Sequence, residues 1–280
     1  MDVAELDVVG AVATEEARLV ETRSFAPSPA FAAQANVDAS IYAEANADPI
    51  GFWERAAKRL EWAQPWHTAH TWAPPVTGDD GTLSVPRASW FDGGRLNVAV
   101  NCVDRHVAAG RGEKVALFFE GEPGDRVAVT YADLQRRVAQ AAHGLTALGI
   151  EPGDRVVVYL PVLIETVVIA LACARIGAVH SLVFGGFSAE AVRFRLEDTG
   201  AKLLVTSDGQ HRRGAQVEVK SAADAAAADL PHLEHVLVVR RTGQDVPWTA
   251  GRDVWWHDVV DTQPDTHEAE AFDSEHPLFI

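Results

Sequence analysis

From Lys114 onward, short runs rich in β-branched and aromatic residues alternate with stretches whose apolar positions recur at helical spacing. Val115 to Glu120 (VALFFE) and Arg126 to Tyr131 (RVAVTY) flank Gly121, Glu122, Pro123, Gly124 and Asp125, the pattern of a hairpin with a five-residue loop. Thr130 with Asp133 three residues on reads as a capping box. Leu134, Val138, Ala141, Leu145 and Leu148 then lay one apolar stripe along a helix that Gly149 ends. The spacing next predicts a strand over 155–160, a helix over 163–176, a strand over 179–184 and a helix over 189–199 between Ser188 and Gly200. A strand over 202–206, a helix over about 217–228 and a strand over 235–239 follow, and PLFI (277–280) reads as a strand that has barely started. Strands alternating with helices of this length predict an α/β fold, a parallel sheet flanked by helices.

Upstream the pattern is weaker. Residues 1 to about 35 are rich in Ala, Ser and Pro, and predict a disordered or loosely docked tail. Tyr42, Phe52, Trp53, Ala56, Leu60 and Trp62 recur near helical spacing, which predicts an amphipathic helix from about Pro49. A turn-rich connector (Pro74, Pro75, Gly78 to Gly81) and a helix over about 96–109 come next. Val156 to Ala174 is long and apolar enough to suggest a membrane span. Pro161 and Glu165 interrupt it, however, and strand, break and helix is the reading that fits a parallel α/β core.

Composition narrows the function classes. Twenty-four Lys and Arg stand against 40 Asp and Glu, a net charge of −16, and no Lys/Arg block breaks the acidic surface. General nucleic-acid or membrane-surface binding is therefore not expected. The N-terminus lacks the basic, apolar layout of a secretory signal, and two cysteines, Cys102 and Cys173, make neither a disulfide framework nor a metal cage. Both features predict a reducing, cytoplasmic setting.

The chain contains no Walker A loop, GxGxxG, HExxH, GxSxG or CxxC motif. His67 with His70 and His232 with His235 have i,i+3 spacing but no third ligand at motif distance, so no metal site is expected. Topology is more informative, because ligands of an open parallel sheet settle outside the carboxyl ends of its strands. Phe184, Gly185, Gly186 and Phe187 leave one strand at that edge, and Asp208 to Arg213 leave the next. Adjacent glycines let a ligand approach the backbone, the helix opening at Ser188 offers N–H groups to an anion, and Arg212 with Arg213 suits a phosphate. On the residues alone, a site for one phosphorylated ligand and a tight turn with solvated arginines both stand. Trp53, Trp62, Trp66, Trp90, Trp255 and Trp256 read as packing anchors, and Asn101, Asp104 and His106 as capping and turn residues.

Four longer runs resemble a known family. WFDGGRLNVAVNCVDRH (Trp90 to His106), GIEPGDRVVVYLP (Gly149 to Pro161), LACARIGAVHSLVFGGFSAEAVRFRLEDTGAKLLVT (Leu171 to Thr206) and GRDVWWHDVV (Gly251 to Val260) are similar to the acetyl-CoA synthetase family, the AMP-forming acetate–CoA ligases of the adenylate-forming superfamily. DPIGFWERAAKRLEWAQPW resembles the leading element of the short-chain acyl-CoA synthetases, and the resemblance runs from about residue 38 to the last residue. It implies a tail over 1–37, an N-terminal extension over 38–95 and the first part of an AMP-binding domain over 96–280, truncated before the phosphate loop.

The resemblance implies a two-step reaction. Acetate attacks the α-phosphorus of ATP to give acetyl-adenylate and pyrophosphate, and the thiol of coenzyme A then displaces AMP. It implies ATP and Mg²⁺ in the full-length enzyme, with their main ligands beyond this chain, so no catalytic residue is assigned here and the chain alone is expected to be inactive. Acetate, ATP, coenzyme A and the C-terminal remainder of the synthetase are the implied partners. A coenzyme A site is the part carried over. Arg212 in HRRGA matches the first arginine of the family's RxGR-like stretch, with Arg213 and Gly214 following. Ala215 stands where some relatives have a second arginine, and Arg213 is the alternative cation. Phe184, Gly185 and Gly186 match the surface near the nucleotide part of coenzyme A. A ligase for another short acid such as propionate, and a non-catalytic nucleotide-binding module, are the other readings.

Overall fold

The computed structural model describes residues 23–280. The chain divides into two units, Met1–Phe52 and Trp53–Ile280. Of the tail expected over 1–37, residues 1–22 lie outside the described residues. In the first unit a short helix, α1 (Pro29–Ala32), starts where Ser28 Oγ accepts the Phe31 N–H at 3.3 Å, and a second, α2 (Ser40–Ala47), holds Tyr42. The next helix, α3 (Pro49–Ala57), begins where the spacing predicts, and the division between the units falls inside it. It ends at Ala57, earlier than the apolar spacing suggests. The Trp62 indole donates to the Ala57 carbonyl at 2.9 Å, satisfying one of the helix's last acceptors from outside the helix.

In the second unit, β1 (Thr68–Ala73) and β2 (Arg87–Asp92) form an antiparallel ribbon, and β3 (Arg95–Leu96) follows. Trp62, Trp66 and Phe91 meet edge to face with ring centroids 4.9 to 5.7 Å apart, so these tryptophans do pack, whereas Trp53 is about half exposed. The helix expected over 96–109 has widened turns at Val100–Asp104 and Val107–Arg111, with the Arg105 N–H donating to the Val100 carbonyl. Apolar spacing over two or three turns does not distinguish such turns from an ordinary α-helix. Asn101 and Asp104 also depart from a local capping role. Asn101 exchanges two bonds with the Glu61 backbone, and Asp104 pairs with the buried Arg175 at 2.8 Å.

The hairpin β4 (Val115–Glu120) and β5 (Arg126–Thr130) and the helix α4 (Tyr131–Ala147) match the expected bounds, with the Thr130–Asp133 capping box formed. Then come β6 (Arg155–Leu160), α5 (Ile164–Ile176), β7 (Val179–Phe184), α6 (Ala189–Thr199) and β8 (Leu203–Ser207). The expected helix over 217–228 is shorter and preceded by a second hairpin, β9 (Gly209–Arg212) and β10 (Ala215–Glu218), leaving α7 at Lys220–Ala227. Arg213 and Gly214 link these strands with φ of 55° and 75°, two left-handed residues in a row that make a tight turn. Beyond lie β11 (His235–Val239), β12 (Asp253–Trp255), α8 (Trp256–Val259) and β13 (Phe272–Asp273), which pairs with β3.

The main sheet has the order β12-β11-β8-β6-β7, every pair parallel. Because side chains alternate across a strand, the buried run of β6 feeds two cores. Val156, Val158 and Leu160 pack with residues of α4 and α5 on one face, and Val157 and Tyr159 with residues of α6 and α7 on the other. Residues 278–280 run beside β7, where the His180 N–H donates to Leu278 and the Ile280 N–H to His180, consistent with the strand start read in PLFI. The apolar stretch over 156–174 is thus a strand, a break at Pro161 and a 13-residue helix. Among the described residues no helix is long and apolar enough to cross a membrane. Burial inside α5 pushes the Cys173 thiol up to about 12.

One ionic cluster lies inside the core. Lys220, fully buried, donates to Asp224 at 2.6 Å, Asp253 at 2.7 Å and the Pro247 carbonyl at 3.2 Å, while Arg252 binds both carboxylates. Burial works against the Asp253 charge, but bonds from Arg252, Lys220 and the Thr249 N–H outweigh it and hold the carboxyl below its ordinary 3.8. A lowered pKa means the group stabilises the fold above about pH 4, and that stability is lost as the pH falls through the lowered value. Asp253→Asn leaves Lys220 short of one counter-charge, and urea melts are expected to show a loss of about 3 kcal/mol at neutral pH. The same melts taken between pH 5 and 2 should show a shallower acid decline in the variant; an unchanged decline would assign the acid sensitivity to other carboxylates.

Candidate functional site

The chain leaves β6 through α5 on one face and returns past it through α6 on the other. Because β7 and β8 flank β6, a crevice is left where the connections diverge, outside the carboxyl ends of the strands. There the structure has a cavity of about 640 Å³. Leu160 and Pro161 follow β6, Phe184, Gly185 and Gly186 follow β7, and His211 and Arg212 come from the β9–β10 hairpin; Phe118 to Glu122 and Arg241 close the remaining side.

Phe184, Gly185, Gly186 and Arg212 therefore come together as the sequence reading required. The Arg212 guanidinium lies over Gly186, where a Cβ would stand 2.7 Å from its Nη1, and Arg212 makes no ion pair among the described residues. A Cβ on Gly185 would lie 2.9 Å from the Pro161 backbone nitrogen, so only glycine fits that turn without a backbone shift. Arg213, Gly214 and Ala215 do not line the cavity: Arg213 and Gly214 form the exposed hairpin tip, and Ala215 starts the returning strand. The adjacent arginines are thus split by a turn that an extended run would not have, and Arg213 does not stand beside Arg212 at the crevice. The N-terminus of α6 lies outside the cavity lining as well. Its Ala191 N–H is held by Ser188 Oγ at 3.4 Å.

Several residues to which the sequence assigned no role build this site. Gln210 donates to the Gly185 carbonyl at 2.9 Å and fixes the glycine turn to the hairpin. Asp208, fully buried, accepts backbone N–H groups from Gly209, Arg241, Thr242 and Gly243 at 2.7 to 3.0 Å. The Arg241 guanidinium then reaches Asp125 through two bonds, at 2.7 and 3.0 Å, and those bonds hold the Asp125 carboxyl below its ordinary range. The rule of ligands at carboxyl ends would have found Arg241, since Arg240 and Arg241 directly follow β11. Asp125 and Glu122 carry no such signal, because they meet the site only through long-range contacts.

Three of the four paired histidines have other contacts. His67 bonds Thr68, His70 packs on Trp90 with centroids 4.4 Å apart, and His232 donates to the Leu196 carbonyl. Among the described residues no group of three or more His, Cys, Asp or Glu is arranged to hold a metal ion. Trp255 stacks on Trp248 at 4.6 Å under Arg240, and Trp256 is buried with its indole bonded to Asp261.

Comparison with known proteins agrees with this architecture. The profile of the AMP-binding enzyme family matches residues 104–280, and that of the acetyl-coenzyme A synthetase N-terminus matches residues 39–102. The chain is 54% identical over 262 residues to an acetyl-coenzyme A synthetase of Streptomyces avermitilis, covering 94% of this chain and 39% of that protein. It is 51% identical over 264 residues to one of Mycobacterium tuberculosis strain H37Rv, covering 93% and 39%. The chain thus spans about two fifths of the length of these relatives. A solved acetoacetyl-CoA synthetase from Streptomyces lividans superposes with a TM-score of 0.71 at 27% identity, over 83% of this chain and 34% of that one.

The two glycines of the turn should respond differently to substitution. Gly185→Ala is expected to lower stability by about 2 kcal/mol in urea unfolding, because the backbone it meets cannot yield freely. Gly186→Ala meets only the far end of a flexible arginine and should stay within about 0.5 kcal/mol of the parent. Equal losses would mean that the turn is not set by the contact with Pro161.

Proposed function

Because this chain belongs to the AMP-binding enzyme family, we propose that it is the N-terminal portion of an AMP-forming acetate–CoA ligase and forms one wall of its coenzyme A site. The extension over 38–95 and the domain portion from 96 onward are assigned on the same reading. The observation that carries the site is an arginine without an ion pair among the described residues, Arg212, set over Gly186 in a crevice at the carboxyl edge of the sheet. A guanidinium without a carboxylate partner among the described residues offers forked donors to a phosphate, and the side-chain-free backbone of Gly185 and Gly186 lets the nucleotide end of coenzyme A lie close.

In the proposed reaction, acetate attacks the α-phosphorus of ATP and pyrophosphate leaves. The coenzyme A thiol then attacks the acyl carbon, and AMP departs. In the first step charge develops on the phosphates, and stabilising it requires donors and a divalent cation that this reading assigns to the remaining length of the relatives. Arg212 takes part in neither bond change. It binds and orients the second substrate, and Phe184 with the glycine turn shapes the surface that substrate rests on. The reading sets the protein in the cytoplasm, in keeping with two free thiols.

Two measurements test the proposal. Calorimetric titration of coenzyme A into the chain is expected to show binding that Arg212→Ala weakens about tenfold, as loss of one charge-assisted phosphate contact predicts. Binding unaffected by the substitution would remove the phosphate role from Arg212. Acetate-dependent ATP–pyrophosphate exchange is expected to be absent from the 280-residue chain and present when it is joined to the rest of a relative's length. A panel of short acids in the same assay, propionate and acetoacetate included, identifies the acid, and the fold shared with an acetoacetyl-CoA synthetase makes that panel necessary.

A further inference from the structure

Arg212 projects from a four-residue strand at the margin of the sheet, and something must hold that hairpin still if the arginine is to meet a phosphate at a fixed place. One contact reaches the hairpin from the β4–β5 loop, and two more fasten that loop to the sheet edge. Asp125 takes both forks of the Arg241 guanidinium. The backbone N–H of Arg241 donates to the buried Asp208 at 2.7 Å, so this end of the loop is fastened to the sheet edge. Three residues before Asp125, Glu122 Oε1 accepts the N–H of Gly214 at the hairpin tip, at 3.1 Å. The Arg241 guanidinium also lies 5.4 Å above the Phe119 ring, which stiffens the same wall.

We infer that the Gly121–Asp125 loop is a clasp joining the sheet edge to the hairpin tip, and that Glu122, Asp125 and Arg241 are positioning residues for ligand binding at Arg212. Charge supports the division of labour. Asp125 neutralises Arg241, which leaves Arg212 as the arginine in the crevice without an ion pair among the described residues. A doubly bonded guanidinium–carboxylate pair is directional, so it fixes the loop's orientation as well as its distance. Glu122 acts differently: it contributes one acceptor oxygen, and its role is met by any side chain that carries one at that reach.

The inference rests on coenzyme A as the ligand of the crevice, and titration of coenzyme A into the whole chain tests both while separating them. Asp125→Ala and Glu122→Ala are each expected to weaken binding roughly tenfold, with Glu122→Gln, which keeps an acceptor oxygen, within about twofold of the parent. The Asp125→Ala, Arg241→Ala double variant should lose no more than the worse single variant, since the two substitutions break one interaction. Amide hydrogen exchange over 209–218 should quicken in Asp125→Ala and Glu122→Ala and stay at the parent rate in Glu122→Gln. Urea midpoints taken alongside identify any variant that fails to fold, and the exposed Glu122 pair then carries the test alone. If Arg212→Ala weakens binding but the clasp variants bind as tightly as the parent, the clasp is overturned and the ligand assignment stands. A parent chain with no affinity for coenzyme A overturns the ligand assignment, and the inference falls with it.

Discussion

The crevice depends on one buried carboxylate. Asp208 directly follows β8 with no exposed surface, and a carboxylate is buried only where its lone pairs are met. Here backbone N–H groups meet them: one from the next residue, the others from the first turn after β11. The bonds tie the carboxyl ends of two neighbouring strands together and bring Arg241 to the rim. They also set the starting point of the β9–β10 hairpin, so the cavity's walls are referenced to a single point in the sheet.

The sheet supplies the opening itself. A strand buried on both faces cannot exchange its register for another without exposing a core, and β6 is buried on both. With β7 on one side and β8 on the other, connections on opposite faces diverge at its carboxyl end. The Leu160–Pro161 backbone runs out into that gap and meets Gly185, which explains why a glycine stands where a larger residue would force the strands apart. Burial, register and the glycine turn are one constraint seen at three scales.

Charge is arranged in two distinct ways in this acidic chain. The Lys220, Arg252, Asp224 and Asp253 cluster is closed, each charge answered by an opposite one inside the fold. Such a cluster specifies how α7, β12 and the connection between them fit, and it offers nothing to a ligand. At the crevice the balance is left incomplete, with Arg241 answered by Asp125 and Arg212 not answered among the described residues. The two arrangements differ in whether every charge in them is answered among the described residues.

The elements that local spacing encodes were legible in the chain. The β4–β5 hairpin, the Thr130–Asp133 cap, α6 between Ser188 and Gly200, and β7 and β11 fall at the expected residues, because period, caps and terminal glycines are properties of neighbours in sequence. Phe184, Gly185, Gly186 and Arg212 were legible too, since topology puts the ends of parallel strands on one edge. The second hairpin was not. Its turn is built on Arg213, a residue with no intrinsic preference for the left-handed region, and the sequence reads 208–213 only as the exit from a strand, with a helix from about 217. The partners of the site were likewise decided by tertiary structure alone. Glu122 with Gly214, Asp125 with Arg241 and Asp208 with the turn after β11 lie from 33 to 116 residues apart, and which carboxylate meets which donor is fixed only when the sheet has closed.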